Sequence, residues 1–408
     1  MSYFWVDELR NLLVSDKDFL VQINTCNRIK KYIRAENPYN MLLNLVAGML
    51  HGKEMVLLDS DFSNEELTAL GIDLKAIEYE FEFNSQQVFS SLQEVAEQIR
   101  MEPWKLWLFT SGTTGLPKKV CHTFETLGRN VRCSSRYKNH VWAFAYRFSH
   151  MAGIQVLLQA LINTNPIIYV FETNPQDVFL QIKKYHCTHI SATPTFYRGL
   201  IPYIVDDLPD LTDLTMGGEK YNSDTYIRLH KLLPHVKIHN IYASTETGSI
   251  LNTTTDYFEI PEKYKDKIII SGNNELLIHF SLLGEFPIEG EWYNTHDLVE
   301  EKDGKLVFLS RDSDLINVGG YKVNPLEVEE AILHVPGVLD CIVEGKANSV
   351  LGNILVAKIL KKSEISEQEL KRTMQSYLKE RLQPFKVPRM IKFVQEMEHT
   401  RSGKKVRK

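Results

Sequence analysis

The chain has 408 residues, 43% hydrophobic and 24% charged, with a formal net charge of −5 at pH 7. Such a length can bury a large core and divides into two or more domains, and the balance excludes a disordered or fibrous chain. The five cysteines (Cys26, Cys121, Cys133, Cys187, Cys341) are scattered, which excludes a disulfide framework and suits a reducing cytoplasm.

Met1-Ser2-Tyr3-Phe4-Trp5-Val6-Asp7-Glu8 lacks the basic start and apolar stretch of a signal peptide. The periodicity predicts a helix over Asn40 to Leu50, a strand over Glu54 to Leu58 and a turn at Asp59-Ser60-Asp61, the start of an alternating α/β pattern. Lys105-Leu106-Trp107-Leu108-Phe109 reads as a strand. The loop that follows it is Thr110-Ser111-Gly112-Thr113-Thr114-Gly115-Leu116-Pro117-Lys118. Glycines let backbone curl round an anion, hydroxyls add donors beside the main-chain N–H groups, and lysine brings a point charge, so a polyphosphate suits this loop. It is not a Walker A loop, because Gly112 and Gly115 are too close together and Lys118 comes too late. The competing reading is a flexible surface turn.

The apolar run near Ile154 to Ile162 is short and carries Gln155 and Gln159, so no membrane span is expected. His186-Cys187-Thr188-His189 lacks a second ligand pair for a metal. Further strands are expected at Ile190 to Ala192, at Leu214-Thr215-Met216 before Gly217-Gly218-Glu219, and at Ile238 to Ile241 before Tyr242-Ala243-Ser244-Thr245-Glu246. Asp303-Gly304 is a two-residue hairpin signal. Folding symmetrically about it sets Asp297 opposite Ser310 and next to Arg311. A plain cross-strand ion pair would explain those charges equally well. Asn324-Pro325-Leu326-Glu327 opens a helix with a cap, a first-turn proline and a reciprocal glutamate. Strands at Val338 to Val343 and Ile354 to Ile359 and a helix capped by Ser366 complete an α+β module. From Lys361 to Lys408 there are 14 Lys and Arg against 6 Glu and no Asp, a local balance of 14 − 6 = +8. This is a solvated face or an attractive field for nucleotide phosphates, coenzyme A or an acidic carrier protein; no nucleic-acid-binding module accompanies it.

Loop 110–118 resembles the phosphate loop of the adenylate-forming superfamily of acyl- and aryl-CoA synthetases, peptide-synthetase adenylation domains and luciferases. Segments 147–153, 214–219, 242–246, 297–311, 317–325 and 400–404 resemble that family's later motifs in order. The resemblance implies a large N-terminal adenylate-forming domain of α/β subdomains with a β-rich portion (1–312). A small mobile α+β C-terminal domain (313–408) would follow. It also implies activation of a carboxylic acid with ATP and Mg²⁺ to an acyl-adenylate, followed by transfer to a thiol. On this reading Thr110, Ser111, Gly112, Thr113, Thr114, Gly115 and Lys118 hold phosphates, and Gly217, Gly218 and Glu219 border the adenine. Tyr242 stacks on the base, Thr245 bonds the α-phosphate, Glu246 holds the metal, and Asp297 and Arg311 hold the ribose. His150 and Met216 go to the acid pocket, Gly319 and Gly320 to the pantetheine tunnel, and Lys404, in Thr400-Arg401-Ser402-Gly403-Lys404, to catalysis of adenylation.

Where α-amino-acid activators place an aspartate against the substrate ammonium, Arg147-Phe148-Ser149-His150-Met151-Ala152-Gly153 has no acid. The expected substrate is therefore an aryl or aliphatic acid without an α-amino group. The acceptor is coenzyme A or the phosphopantetheine of a carrier protein. The chain departs from the family at Lys119, Ala243, His296, Ser310 and Ser313, and its early region looks shortened. A non-catalytic nucleotide- or acyl-binding relative is the reading these departures favour.

Overall fold

The computed structural model describes residues 3–34, 37–60, 62–82, 87–110, 117–219, 223–311, 315–318, 321–348 and 352–397. Tyr32–Arg34, Glu54–Leu58 and Lys105–Phe109 pair in parallel, and Lys119–His122 adds an antiparallel edge. Helix Pro38–Leu50 feeds this sheet. Asn37 caps it by accepting from the Tyr39 and Asn40 amides, and Pro38 occupies its first turn.

The second sheet has eight strands. From one edge they run Gly248–Thr253, Lys237–Ser244, Asp213–Gly217, His189–Ala192, Trp142–Phe144, Ile167–Tyr169, Tyr3–Asp7 and Leu12–Ser15. The six inner strands are parallel and the two edges antiparallel. Helices cover both faces of such a sheet, which is why Ile167–Tyr169 and Trp142–Phe144 are apolar throughout instead of alternating. The main core, including Trp5, Leu42, Leu45, Ile99, Leu108, Ile154 and Leu157, joins the two sheets through the helices Pro38–Leu50, Leu92–Met101 and Met151–Ile162.

An antiparallel sheet of Ile268–Ile270, Glu275–His279, Trp292–Lys302 and Lys305–Arg311 follows. Asp303 and Gly304 take φ of 51° and 74°, the left-handed pair that a two-residue hairpin needs. The expected register is off by one residue. Irregular pairing between Leu298 and Val299 sets Asp297 opposite Arg311 and Leu298 opposite Ser310. The 237–244 strand also runs further than its apolar residues suggest. It continues through Tyr242 to Ser244 because Gly248–Thr253 pairs back against it.

A further sheet orders Tyr321–Val323, Ile316–Val318, Gly352–Lys361 and Val338–Asn348, with Met390–Val394 parallel to Gly352–Lys361. The helices Pro325–Leu333 and Glu367–Arg381 close a separate core around Val328, Ile332, Leu355 and Met374. Asn324 and Ser366 cap these helices as expected. Glu327 does not complete a reciprocal box; its carboxylate lies 2.7 Å from the Lys386 ammonium. Asp340 reaches Arg198 at 3.4 Å and the Ser223 hydroxyl donates to Glu330 at 3.0 Å, so this module leans on the helices Pro194–Leu200 and Ser223–Leu232. Among the described residues, no helix is long and apolar enough to cross a membrane.

Candidate active site

The C-terminal ends of parallel strands are where an α/β sheet presents its loops to a ligand. In the first sheet that end carries Thr110. Its amide donates to Lys118 O at 2.9 Å and its hydroxyl accepts from the Lys118 amide at 3.1 Å, closing the base of the candidate phosphate loop. Ser111, Gly112, Thr113, Thr114 and Gly115 lie outside the described residues. Lys118 is exposed at the loop's exit, and Lys119 lays its ammonium 4.1 Å from the centre of the Trp107 ring.

In the second sheet the same end carries the turn from Ser244 to Gly248. Ser244 and Thr247 share a hydroxyl contact of 3.1 Å across it, and Gly248 has φ +66°. Thr245 and Glu246 stand on this turn, and three groups fix it. His122 Nε2 lies 2.7 Å from Thr245 O, the Gly284 amide donates to Glu246 O at 2.7 Å, and the Tyr293 hydroxyl donates to Glu246 Oε1 at 3.1 Å. A carbonyl only accepts, so His122 Nε2 carries the proton and Nδ1 faces the Thr126 hydroxyl at 3.0 Å. Burial lowers the His122 pKa to about 4, which keeps the ring neutral.

Tyr242 and Asp297 come together although 55 residues separate them. The Tyr242 hydroxyl donates to Asp297 Oδ2 at 2.6 Å, and Phe308 stacks against the tyrosine ring at 4.2 Å. Asp297 is buried, and its own amide donates to the Thr295 hydroxyl at 3.1 Å. Beside it His296 adopts φ +57°, so the backbone takes a glycine-like conformation without a glycine. The His296 amide donates to Asn294 Oδ1 at 2.8 Å, which helps to hold that strained position. The backbone of Arg311 faces Asp297 across the hairpin.

A cavity of about 160 Å³ opens between helix Met151–Ile162 and the Asp213–Gly217 and Lys237–Ser244 strands. Met151, Ala152, Val156, Thr215, Gly217 and Ala243 are among its walls. A Cβ added at Gly217 would meet nothing nearer than Ile241 O at 3.6 Å, so the missing side chain leaves room for the cavity's contents. Gly218 is needed for a different reason, its φ of +80°. The expectation for Met216 is corrected here. Side chains alternate along a strand, and with Thr215 and Gly217 turned to the cavity, Met216 is fully buried in the core on the opposite face. His150 is displaced from its expected place too. It occupies the N-cap position of helix Met151–Ile162, and Met151 and Ala152 reach the cavity in its stead. Next to it the Ser149 hydroxyl bonds the buried Asp59 carboxylate, tying this helix start to the first sheet.

The Glu219 carboxylate accepts from the Thr195 amide at 3.2 Å and hydroxyl at 2.8 Å. Gly319, Gly320 and Lys404 lie outside the described residues. Sequence reasoning missed His122, Tyr293 and Phe308. Each sits on a strand with no unusual spacing, and only its long-range partner distinguishes it.

A family profile described as AMP-binding enzyme matches residues 36–271, and one described as AMP-binding enzyme C-terminal domain matches 327–404. The 2-succinylbenzoate–CoA ligase of Staphylococcus aureus (strain bovine RF122 / ET3-1) is 26% identical over 387 positions, covering 87% of this chain and 77% of that protein. The fold is similar to Escherichia coli MenE with bound OSB-AMS, at TM-score 0.76 and 16% identity over 96% of this chain and 91% of that one. It is similar too to Bacillus subtilis o-succinylbenzoate CoA synthetase in complex with the acyl-adenylate OSB-AMP, at TM-score 0.72 and 20% identity over 100% and 94%. With more than half its length matched and the expected adenylate-forming architecture in place, the chain belongs to the AMP-binding enzyme family.

Proposed function

We propose that this protein is an acid–thiol ligase that activates a carboxylic acid without an α-amino group and transfers it to coenzyme A. The observation that carries this reading is the convergence of Tyr242, Thr245, Glu246 and Asp297 on one cleft beside a cavity. A carboxylate oxygen of the acid attacks the α-phosphorus of ATP, the bond to the bridging oxygen breaks, and pyrophosphate leaves. A thiol then attacks the acyl carbonyl and AMP leaves.

Tyr242 stacks on adenine, and the Asp297 carboxylate, which the tyrosine hydroxyl reaches, accepts the ribose hydroxyls with Arg311 assisting at the same sugar. Lys118 and loop 110–115 hold the β- and γ-phosphates, and the Thr245 hydroxyl faces the α-phosphate. Lys404 supplies a positive charge where negative charge builds during adenylation. Gly319 and Gly320 admit the thiol arm after the small domain, residues 313–408, rotates on the large one, residues 1–312.

Magnesium fits Glu246. The carboxylate is half-buried and oriented by Tyr293, and this ion takes one or two carboxylates with phosphate oxygens and water. When bound it would neutralise phosphate charge. Among the described residues no group of three or more His, Cys, Asp or Glu could hold a metal by itself, so phosphate oxygens complete the site.

None of the described residues lining the cavity is an acid that could pair a substrate ammonium. All five cysteines are free, which supports a reducing cytoplasmic location. The +8 balance of residues 361–408 favours a phosphorylated or acidic acceptor, and a carrier-borne phosphopantetheine is the second reading. The test is acid-dependent pyrophosphate release with ATP and magnesium, repeated with coenzyme A and with a holo-carrier. Thioester on coenzyme A supports the proposal; thioester on the carrier alone replaces it with the second reading. ATP binding without acid-dependent release across a broad panel would reject the ligase reading.

A further inference from the structure

Resting on the ligase reading, we infer that Lys119 is a positioning residue: by lying on Trp107 it staples the two ends of the phosphate loop together and tightens the hold on the β- and γ-phosphates of ATP. The contact joins the strand that enters the loop to the strand that leaves it. Trp107 lies on Lys105–Phe109, Lys119 opens Lys119–His122, and the two strands pair antiparallel with Lys119 opposite Phe109. Trp107 is therefore the diagonal neighbour of Lys119 on one face of the sheet, within reach of a long side chain. The Lys119 ammonium stands 4.1 Å from the centre of the Trp107 ring. The chain departs from its family at this position, so the contact is a property of this sequence.

The ring is itself fixed. Its Nε1 donates to Glu54 Oε1 at 3.0 Å, and the Lys31 ammonium lies 3.2 Å from the same oxygen. Swinging the ring away from Lys119 would break the indole bond. The Lys119 ammonium is partly withdrawn from water: burial lowers its pKa, and the Glu54 carboxylate opposes that shift. Withdrawal from water strengthens its attraction to the ring. The exit strand has little else to hold it. It is the edge of its sheet, and among the described residues its outer side pairs only through the bridge between Cys121 and Glu285. Lys118, next to Lys119, closes the base of the loop on Thr110 through bonds of 2.9 and 3.1 Å. Holding Lys119 therefore holds that base before ATP arrives, and less freedom is lost on binding.

The test measures Kd for MgATP and for AMP, which has no β- or γ-phosphate, on the full chain and its variants. Lys119→Met keeps the aliphatic stem and removes the charge. It should raise Kd for MgATP by about 3- to 10-fold and leave Kd for AMP as in the parent. Lys119→Arg keeps a cation over the ring and should restore the parent value. Trp107→Leu should weaken MgATP by a similar factor, and adding Lys119→Met to it should weaken MgATP no further, because both changes remove one contact. In acid-dependent pyrophosphate release, Lys119→Met should raise KM for ATP with kcat unchanged. Parent-like MgATP affinity in Lys119→Met, or equal loss for MgATP and AMP, overturns the inference and leaves the ligase reading intact. A parent chain that does not bind MgATP overturns both.

Discussion

His122 gives the sharpest test of how the site is built. It is 0% exposed, bonds Thr245 O at 2.7 Å, and has its pKa lowered by burial from 6.5 to about 4. The folded chain keeps the ring neutral over a range in which the unfolded chain protonates it. Between those two values the unfolded state binds more protons, so stability is fully present above the unfolded pKa, falls as pH drops through the window and levels off below the folded pKa. From about pH 7.5 to about pH 5, linkage through this one group removes about 2 kcal/mol of stability. His122→Gln keeps an N–H donor for the Thr245 carbonyl but cannot titrate. At about pH 7.5 the variant should lose about 1–3 kcal/mol through imperfect geometry. Urea denaturation at both pH values, without nucleotide or magnesium, should then show the variant losing about 2 kcal/mol less than the parent on acidification. His189, also lowered to about 4, is common to both proteins and cancels in the difference. Equal acid sensitivity in the two proteins would refute the assignment of a buried neutral ring behind Thr245.

Three further outcomes follow from the site and the hairpin. Tyr242→Phe removes a 2.6 Å hydrogen bond to the Asp297 carboxylate and should raise the KM for ATP by about tenfold, with a smaller change in the KM for the acid. An added Cβ at Gly304 has nothing within 4 Å but sits at φ +74°, so Gly304→Ala should cost about 1–2 kcal/mol in denaturant unfolding with no steric clash. Lys404→Ala should lower pyrophosphate release by about 10²–10³ while thioester formation from supplied acyl-adenylate is much less affected. Equal loss of both half-reactions would reject two separate conformations for the two steps.

Much of the architecture could be read directly from local chemistry. Asn324-Pro325 starts a helix because cap and proline act on backbone groups within one turn, although the same pair at Asn37-Pro38 went unread and its helix was expected only from Asn40. Asp303-Gly304 makes a hairpin because few residue pairs tolerate its φ values. The order of glycine, hydroxyl and carboxylate motifs pointed to nucleotide chemistry for the same reason: each motif is contiguous. Register was already less legible. The irregularity at Leu298 and Val299 shifted Asp297 from Ser310 to Arg311, and nothing in those residue types marks it. Facing was less legible still. Thr215, Met216 and Gly217 must alternate, but a parallel strand covered on both sides has two apolar faces, so its sequence does not say which one meets the cavity.

What the sequence alone determined, then, was part of the set of elements and the chemical groups offered at their ends, because helix caps and turns are governed by interactions a few residues long. The strands Tyr3–Asp7, Leu12–Ser15, Trp142–Phe144 and Ile167–Tyr169 went unread. Tertiary structure decided which groups meet. His122 reaches Thr245 across 123 residues, Tyr293 reaches Glu246 across 47, and Tyr242 reaches Asp297 across 55. Such bonds depend on how separate sheets are stacked, and stacking is set by burial summed over the whole core, which no single stretch of sequence encodes.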